Sequence, residues 1–334
     1  MAPMADVTDA AFRALVAKRG KPDIFWTEFV SADGLYHTRE IAKMKDEENP
    51  LMRDLQRSIV VPHGHFHFSK PEDEQEKLVA QIFSSKPEMI AYATSLVAKL
   101  GFDGVDINMG CPDRSIEKQG AGAAMIKNPK LAVEIIKAAQ EASNLPVSVK
   151  TRIGYNKESL DEWLSALLFA NPAAITLHLR TRKEMSLVPA GWELMKSAVE
   201  IRNKINPNVL LIGNGDVQDL EDARAKAAEF GCDGIMIGRA MFGNPWLFEG
   251  ISRRQTSSSD VGRLTSNHGL DEKLEALIEL AYDFEKLSPP KNFAILKKHI
   301  KTFVTGFSGA ADLRARFMTA ASAAELEKAI HLYT

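Results

Sequence analysis

Asp106-Ile107-Asn108-Met109-Gly110-Cys111-Pro112 reads as the end of a buried strand and the turn that stops it. The run from Gly104 to Asn108 is apolar and β-branched, preceded by the turn-like Gly101-Phe102-Asp103. Glycine then admits an unusual backbone angle, and proline denies the strand its next hydrogen bond. Gly120-Ala121-Gly122-Ala123-Ala124 follows close behind. A cysteine is thus held on a stiff loop at the C-terminal end of a strand, beside the amide of Asn108, where a parallel α/β fold keeps its chemistry. There it can exchange a proton or attack as a thiolate. Most free cysteines are simply buried packing, and spacing alone leaves both readings open.

Working outward, the same unit of strand then helix recurs. Ala2-Pro3-Met4 is a strand stub, and Thr8 or Asp9 caps a helix over Ala10-Ala11-Phe12-Arg13. Strands are expected over 23–30, 78–84, 104–108, 146–152, 174–179, 209–212 and 234–237, with helices over 87–100 and from Asn128-Pro129 to about Ala142. Eight strands, most of them separated by helices, predict a (β/α)8 TIM-type barrel of ~250 residues. The rival doubly wound sheet would carry an early Gly-x-Gly-x-x-Gly, and none is present. The first strand is short for a barrel: either the true start lies upstream or the barrel tolerates a clipped strand.

The connection from Leu51 to Lys77 is long and contains His63, His65 and His67, which share one face of an extended segment and are able to bind a metal. An irregular surface insertion is the commoner meaning, and no metal is assigned. Beyond Trp246 the alternation ends. Residues 251–268 are polar and read as a linker after a catalytic unit over 1–250. From 269 to 334 only helical periodicity survives, broken at Ser288-Pro289-Pro290 and Gly306-Phe307-Ser308-Gly309, which predicts a small all-helical domain.

The 334 residues carry a net charge of −2, so any nucleic-acid partner needs a local basic face. Lys286 to Arg316 supplies seven basic residues against the single acid Asp312. Lys297, Lys298 and Lys301 recur at helical spacing: a solvated face, or a surface for a phosphate backbone. No apolar run approaches the ~20 residues of a membrane span, and no secretory signal opens the chain. Two cysteines, Cys111 and Cys232, make neither a disulfide framework nor a zinc set, so a reducing cytoplasm and a monomer are expected.

Two glycine-rich loops, Gly213-Asn214-Gly215-Asp216 and Gly238-Arg239, follow the last two strands, where barrels often hold a phosphate. Gln81, Asn108, Cys111, Lys150, Arg152 and His178 stand near the C-terminal ends of strands. Burying so many polar groups is costly unless a ligand or a network satisfies them. A polar ring bearing a phosphate meets that need, and flavin mononucleotide (FMN) fits. Taken singly, Lys150 is as well read as a barrel salt bridge and His178 as a satisfied core histidine.

The Gly-Cys-Pro stretch in its strand context resembles the active-site motif of the tRNA-dihydrouridine synthases, and the likeness covers most of the chain. Ala2-Pro3-Met4 resembles that family's opening flavin-contact strand, Val79 to Phe83 its glutamine strand with Gln81, Val147 to Arg152 its lysine strand with Lys150, and Leu177 to Arg182 its histidine strand with His178. Asn214, Gly215, Asp216, Gly238 and Arg239 match its flavin-phosphate loops. The resemblance implies that NADPH reduces the flavin, that a tRNA uridine is turned out into the barrel mouth, and that hydride from N5 reaches uracil C6 while Cys111 protonates C5. It further implies that Asn108 and Arg152 orient the ring, with His178, that Arg180 or Arg182 binds phosphate or base, and that Lys297, Lys298, Lys301 and Arg314 belong to tRNA-binding helices. Three other readings are kept: a flavin barrel that reduces a small molecule, an RNA-binding homologue without catalysis, and a phosphate-binding barrel without flavin.

Overall fold

The computed structural model describes residues 1–56, 77–249 and 268–333. Seven parallel strands curl side by side in chain order: β1 (Ile24–Ser31), β2 (Lys77–Phe83), β3 (Gly104–Met109), β4 (Val147–Arg152), β5 (Ala174–His178), β6 (Leu210–Asn214) and β7 (Gly234–Met236). Helices α1 (Ala10–Arg19), α2 (Pro87–Lys99), α3 (Pro129–Ala142), α4 (Leu160–Phe169), α5 (Glu193–Ile205) and α6 (Leu220–Phe230) cover the outside. This is the barrel expected from the alternation, the crossovers from β2 onward each burying an apolar helix face on the sheet. Every residue of β3 is buried, as a strand packed on both faces requires.

Local chemistry sets the helix ends. Asp9, one of the two candidate caps, accepts the Phe12 N–H, and Asn128 accepts that of Leu131 with Pro129 in the first turn. Gly231 closes α6 at φ 70°.

The eighth position differs from expectation. Ala2-Pro3-Met4 forms no regular ladder, yet it lies between the last and first strands: the Ala2 N–H donates to the Ile237 carbonyl (2.8 Å), and the Met1 amine donates to that of Ile24 (2.9 Å). A segment pinned at one hydrogen bond per side is too short for a strand but long enough to fill the gap.

After residue 268 four helices follow: α7 (Leu270–Glu285), α8 (Lys297–Phe303), α9 (Ala310–Phe317) and α10 (Ala323–His331), the first three separated at the expected proline and glycine breaks and the last two at residues 318–322, a break that was not expected. This region packs against the barrel. Lys18 and Arg19 of α1 pair with Glu279 of α7. Gly243, at φ 70°, abuts α8 so closely that a Cβ there would stand 2.2 Å from the Thr302 carbonyl oxygen. Among the described residues no helix is long and apolar enough to cross a membrane, and no group of three or more His, Cys, Asp or Glu could hold a metal. His63, His65 and His67, and the linker apart from His268, lie outside the described residues.

Candidate functional site

The Cys111 loop is built from beneath. Ser148 Oγ donates to Asp106 Oδ1 (2.6 Å), and Gln81 Nε2 donates to Asp106 Oδ2 (2.6 Å). Gln81 Oε1 then accepts from Asn108 Nδ2 (3.0 Å). With its amide so oriented, Asn108 Oδ1 accepts the backbone N–H groups of Gly110 (3.1 Å) and Cys111 (2.9 Å). Neither Gln81 nor Asp106 has any exposure, and burial pushes the Asp106 carboxyl up, against its hydrogen bonds from Gln81 and Ser148. A fully connected polar chain of this kind fixes one loop geometry. An acid in the middle of an apolar strand was the available signal for Asp106, whose role the sequence reading passed over.

The loop is also held from its neighbours. Ala123 N–H donates to the Cys111 carbonyl (2.9 Å) from a turn that starts at Gly122, φ 59°. Arg152 Nε donates to the Gly110 carbonyl (2.8 Å), and its Nη1 to those of Thr181 (3.1 Å) and Met185 (2.9 Å). Arg152 therefore stitches the loops after β3 and β5 together. Cys111 is half-buried against Phe83, Ile116 and Ala121. Burial raises its thiol, with Asp113 charge adding to the rise; the Asp113 backbone N–H, Arg152 and Lys150 oppose it.

Beside this loop, across β4, opens a cavity of about 250 Å³. Ala2, Pro3 and Met4 form one wall; Lys150, His178 and Asn214 stand on the strand ends; Gly215 and Asp216 follow β6; Gly238 and Arg239 follow β7. Ten of the residues assigned from sequence to a cofactor thus meet in one space. Gln81, also expected there, lies instead in the network beneath the Cys111 loop. Arg180, expected at the substrate, lines this cavity too. Its Nη1 lies 3.0 Å from His178 Nε2, its Nη2 pairs with Asp216 Oδ2, and Asp216 Oδ1 receives Arg239 Nη2 (2.7 Å).

The field inside is positive. Burial lowers Lys150 to about 8, with Arg152 adding to the fall. His178 is lowered to about 2, first by burial and then by Lys150, Arg152, Arg180 and Arg239. Four cations repelling one more proton make a space suited to an anion. Its rim requires glycine: Gly215 sits at φ 131°, and a Cβ there would lie 2.7 Å from that of Ala190. A Cβ on Gly238 would enter the cavity within 3.6 Å of Ala2 Cβ and 3.9 Å of Met4 Sδ.

The other substrate candidates lie apart from the cavity. Arg182 is paired with Glu117 on the one-turn helix after Cys111, and its guanidinium stands 5.5 Å from the centre of the Tyr155 ring. Lys298 is paired with Asp6 (2.8 Å), and Arg314 donates to the Val304 carbonyl (2.8 Å). Lys297 is half-buried and Lys301 exposed on α8.

A family model described as "Dihydrouridine synthase (Dus)" matches residues 1–333. The chain is 36% identical over 334 residues to a "Probable tRNA-dihydrouridine synthase" of Staphylococcus epidermidis, covering 100% of this chain and 92% of that one. It is 38% identical over 326 residues to one from Staphylococcus aureus (97% and 89% covered), and 38% over 327 residues to "Probable tRNA-dihydrouridine synthase 2" of Bacillus subtilis (98% and 90%). Among solved structures, 2-naphthoyl-CoA reductase superposes with a TM-score of 0.53 at 10% identity, covering 75% of this chain and 47% of that one. Morphinone reductase gives 0.50 at 12% identity, covering 75% and 84%. At such identities these two bear on the fold alone.

Proposed function

The chain belongs to the dihydrouridine synthase family, and from that premise we propose that it reduces uridines of tRNA to 5,6-dihydrouridine with FMN as cofactor and NADPH as reductant. The observation that carries this reading is the convergence of a glycine-lined, positively charged cavity with a cysteine loop on the adjoining sector of the same barrel rim.

The residues fit the cofactor. Arg239 and Arg180 face the space bordered by the two glycines, as a phosphate requires. Lys150, held by Asn214 Oδ1 (3.2 Å), offers a positive partner to a ring edge that gains negative charge. When bound, FMN supplies the hydride that saturates uracil C6.

The remaining chemistry belongs to the chain. Burial keeps Cys111 as a thiol at neutral pH, which suits a proton donor rather than a standing nucleophile. Its Sγ–H bond breaks as the proton passes to C5. The thiolate left behind is favoured by the Asp113 N–H, Arg152 and Lys150. His178, neutral at every physiological pH, is a hydrogen-bonding group for a ring and not an acid. Asn108 acts through the loop it fixes. The α8 cations Lys297, Lys298 and Lys301, with Arg314 of α9, meet the tRNA backbone. A monomer in the cytoplasm, where both cysteines stay reduced, completes the reading, with 1–250 as the catalytic unit and 269–334 as the tRNA-binding one.

Absorption spectroscopy tests the cofactor assignment. The refilled protein is expected to be yellow, to retain FMN through gel filtration, and to bleach on addition of NADPH. A protein that stays colourless after refilling contradicts it.

A further inference from the structure

Lys291 belongs to the helical region, yet its side chain is only 3% exposed and is directed at the barrel. Its Nζ lies 2.5 Å from Glu28 Oε2, 3.7 Å from Asp9 Oδ2 and 3.8 Å from Asp54 Oδ1. Glu28 sits where the register of β1 with β2 breaks, between Trp26 and Phe29. Its second oxygen, Oε1, accepts the backbone N–H of Asp6, a non-glycine residue at φ 57°. The Asp6 carboxylate in turn pairs with Lys298. Just before this turn the Met4 carbonyl accepts the N–H groups of Val7 (3.2 Å) and Thr8 (3.0 Å). Ala2, Pro3 and Met4 are the wall of the cavity described above. Two lysines of the helical region therefore grip the turn that supports one side of the cofactor space.

Enclosing a lysine among carboxylates gains little net stability over apolar packing, because desolvation offsets the attraction. It does fix direction. The segment it fixes has one backbone hydrogen bond on each side and no ladder of its own.

We propose that Lys291 is a positioning residue for the cofactor: through Glu28 and the Asp6 turn it sets the Ala2–Met4 wall, and so couples docking on the helical region to flavin affinity. This rests on the reading that the cavity takes FMN. The coupling is reciprocal: tRNA bound to the helical region and FMN bound in the barrel tighten one another by the same factor.

Full-length parent, K291M, E28Q and the double variant are titrated as apoproteins with FMN, following fluorescence quenching, and amide exchange is followed at Val7 and Thr8. E279Q is the control, since Glu279 joins the same two parts of the chain through Lys18 and Arg19, toward the far end of α1. K291M and E28Q are each expected to raise the Kd for FMN by about fivefold or more, to speed exchange at Val7 and Thr8, and to be non-additive in combination. E279Q leaves the Kd unchanged. An unchanged Kd in folded K291M, equal weakening by E279Q, or full additivity overturns the coupling; should K291M not fold, E28Q decides by the same threshold. A parent that binds no FMN overturns the cofactor reading itself, whereas a parent that binds while both single variants bind equally well overturns only the coupling.

Discussion

His299 on α8 lies 2% exposed, its ring 4.8 Å from that of Phe12 on α1. Burial lowers it to about 4, Lys291 and Lys298 adding to the fall while Asp9 opposes it. The folded protein thus refuses a proton that the unfolded chain accepts from about pH 6.5 downward, so stability is lost as pH falls through that window toward 4. Phe at 299 keeps the ring contact and removes the sensitivity. Relative to the parent, H299F is expected to gain about 2 kcal/mol between about pH 7.5 and about pH 5, from 1.36 kcal/mol per pH unit. Urea unfolding at the two pH values measures this, and a constant difference between the proteins refutes it. At this scale the sequence was legible where a residue type is chemically unusual for its place. Cys111 in its Gly-Cys-Pro turn, Lys150 and His178 at strand ends, and Gly215 and Gly238 after strands stood out by that contrast, while their roles came from the family resemblance. Asp106, Glu117 and Lys291 were not assigned roles, because a carboxylate or a lysine has a defined part only once its partner is known, and the partners lie 42, 65 and 263 positions away.

Among the elements, the strand-to-loop joints carry the proposed function. Gly122 illustrates what sequence shows and what it hides. Its place close behind the Cys111 motif was visible, but not that a Cβ there would lie 2.7 Å from the Cys111 carbonyl oxygen and 2.9 Å from Ile116 Cγ2. G122A is expected to displace the Cys111 loop while leaving the cavity beyond β4 intact. FMN affinity should stay at the parent value, and turnover should fall by about a hundredfold, as misplacement of a catalytic group by about 1 Å predicts. Single-turnover kinetics with tRNA and a flavin titration check both halves; loss of FMN binding, or full turnover, contradicts the assignment. All seven long strands were legible within a few residues, because buried parallel strands are continuous apolar runs. The Ala2–Met4 segment read as a strand and is not one, since three residues cannot show whether a ladder or two single hydrogen bonds hold them.

For the molecule as a whole, the alternation of strands and helices gave the barrel, and the loss of that alternation gave the helical tail. How the two meet was not legible. The ion pairs of Glu279 and Lys291, and the contact of Gly243 with Thr302, join segments far apart in sequence whose residues look like ordinary surface charges and a loop glycine. The basic run from Lys286 to Arg316 read as one face, yet it divides: Lys291 and Lys298 hold the barrel, while Lys301 faces solvent. The proposed function needs both parts at once, a rim to donate a proton and a surface to present RNA to it. The most direct test incubates parent and C111A protein, each refilled with FMN, with NADPH and unmodified tRNA, then maps nucleosides by mass spectrometry. The parent is expected to give a mass increment of H2 at discrete uridines, and C111A none, although that variant still binds FMN and tRNA. Dihydrouridine formed by C111A at the parent rate would contradict this expectation.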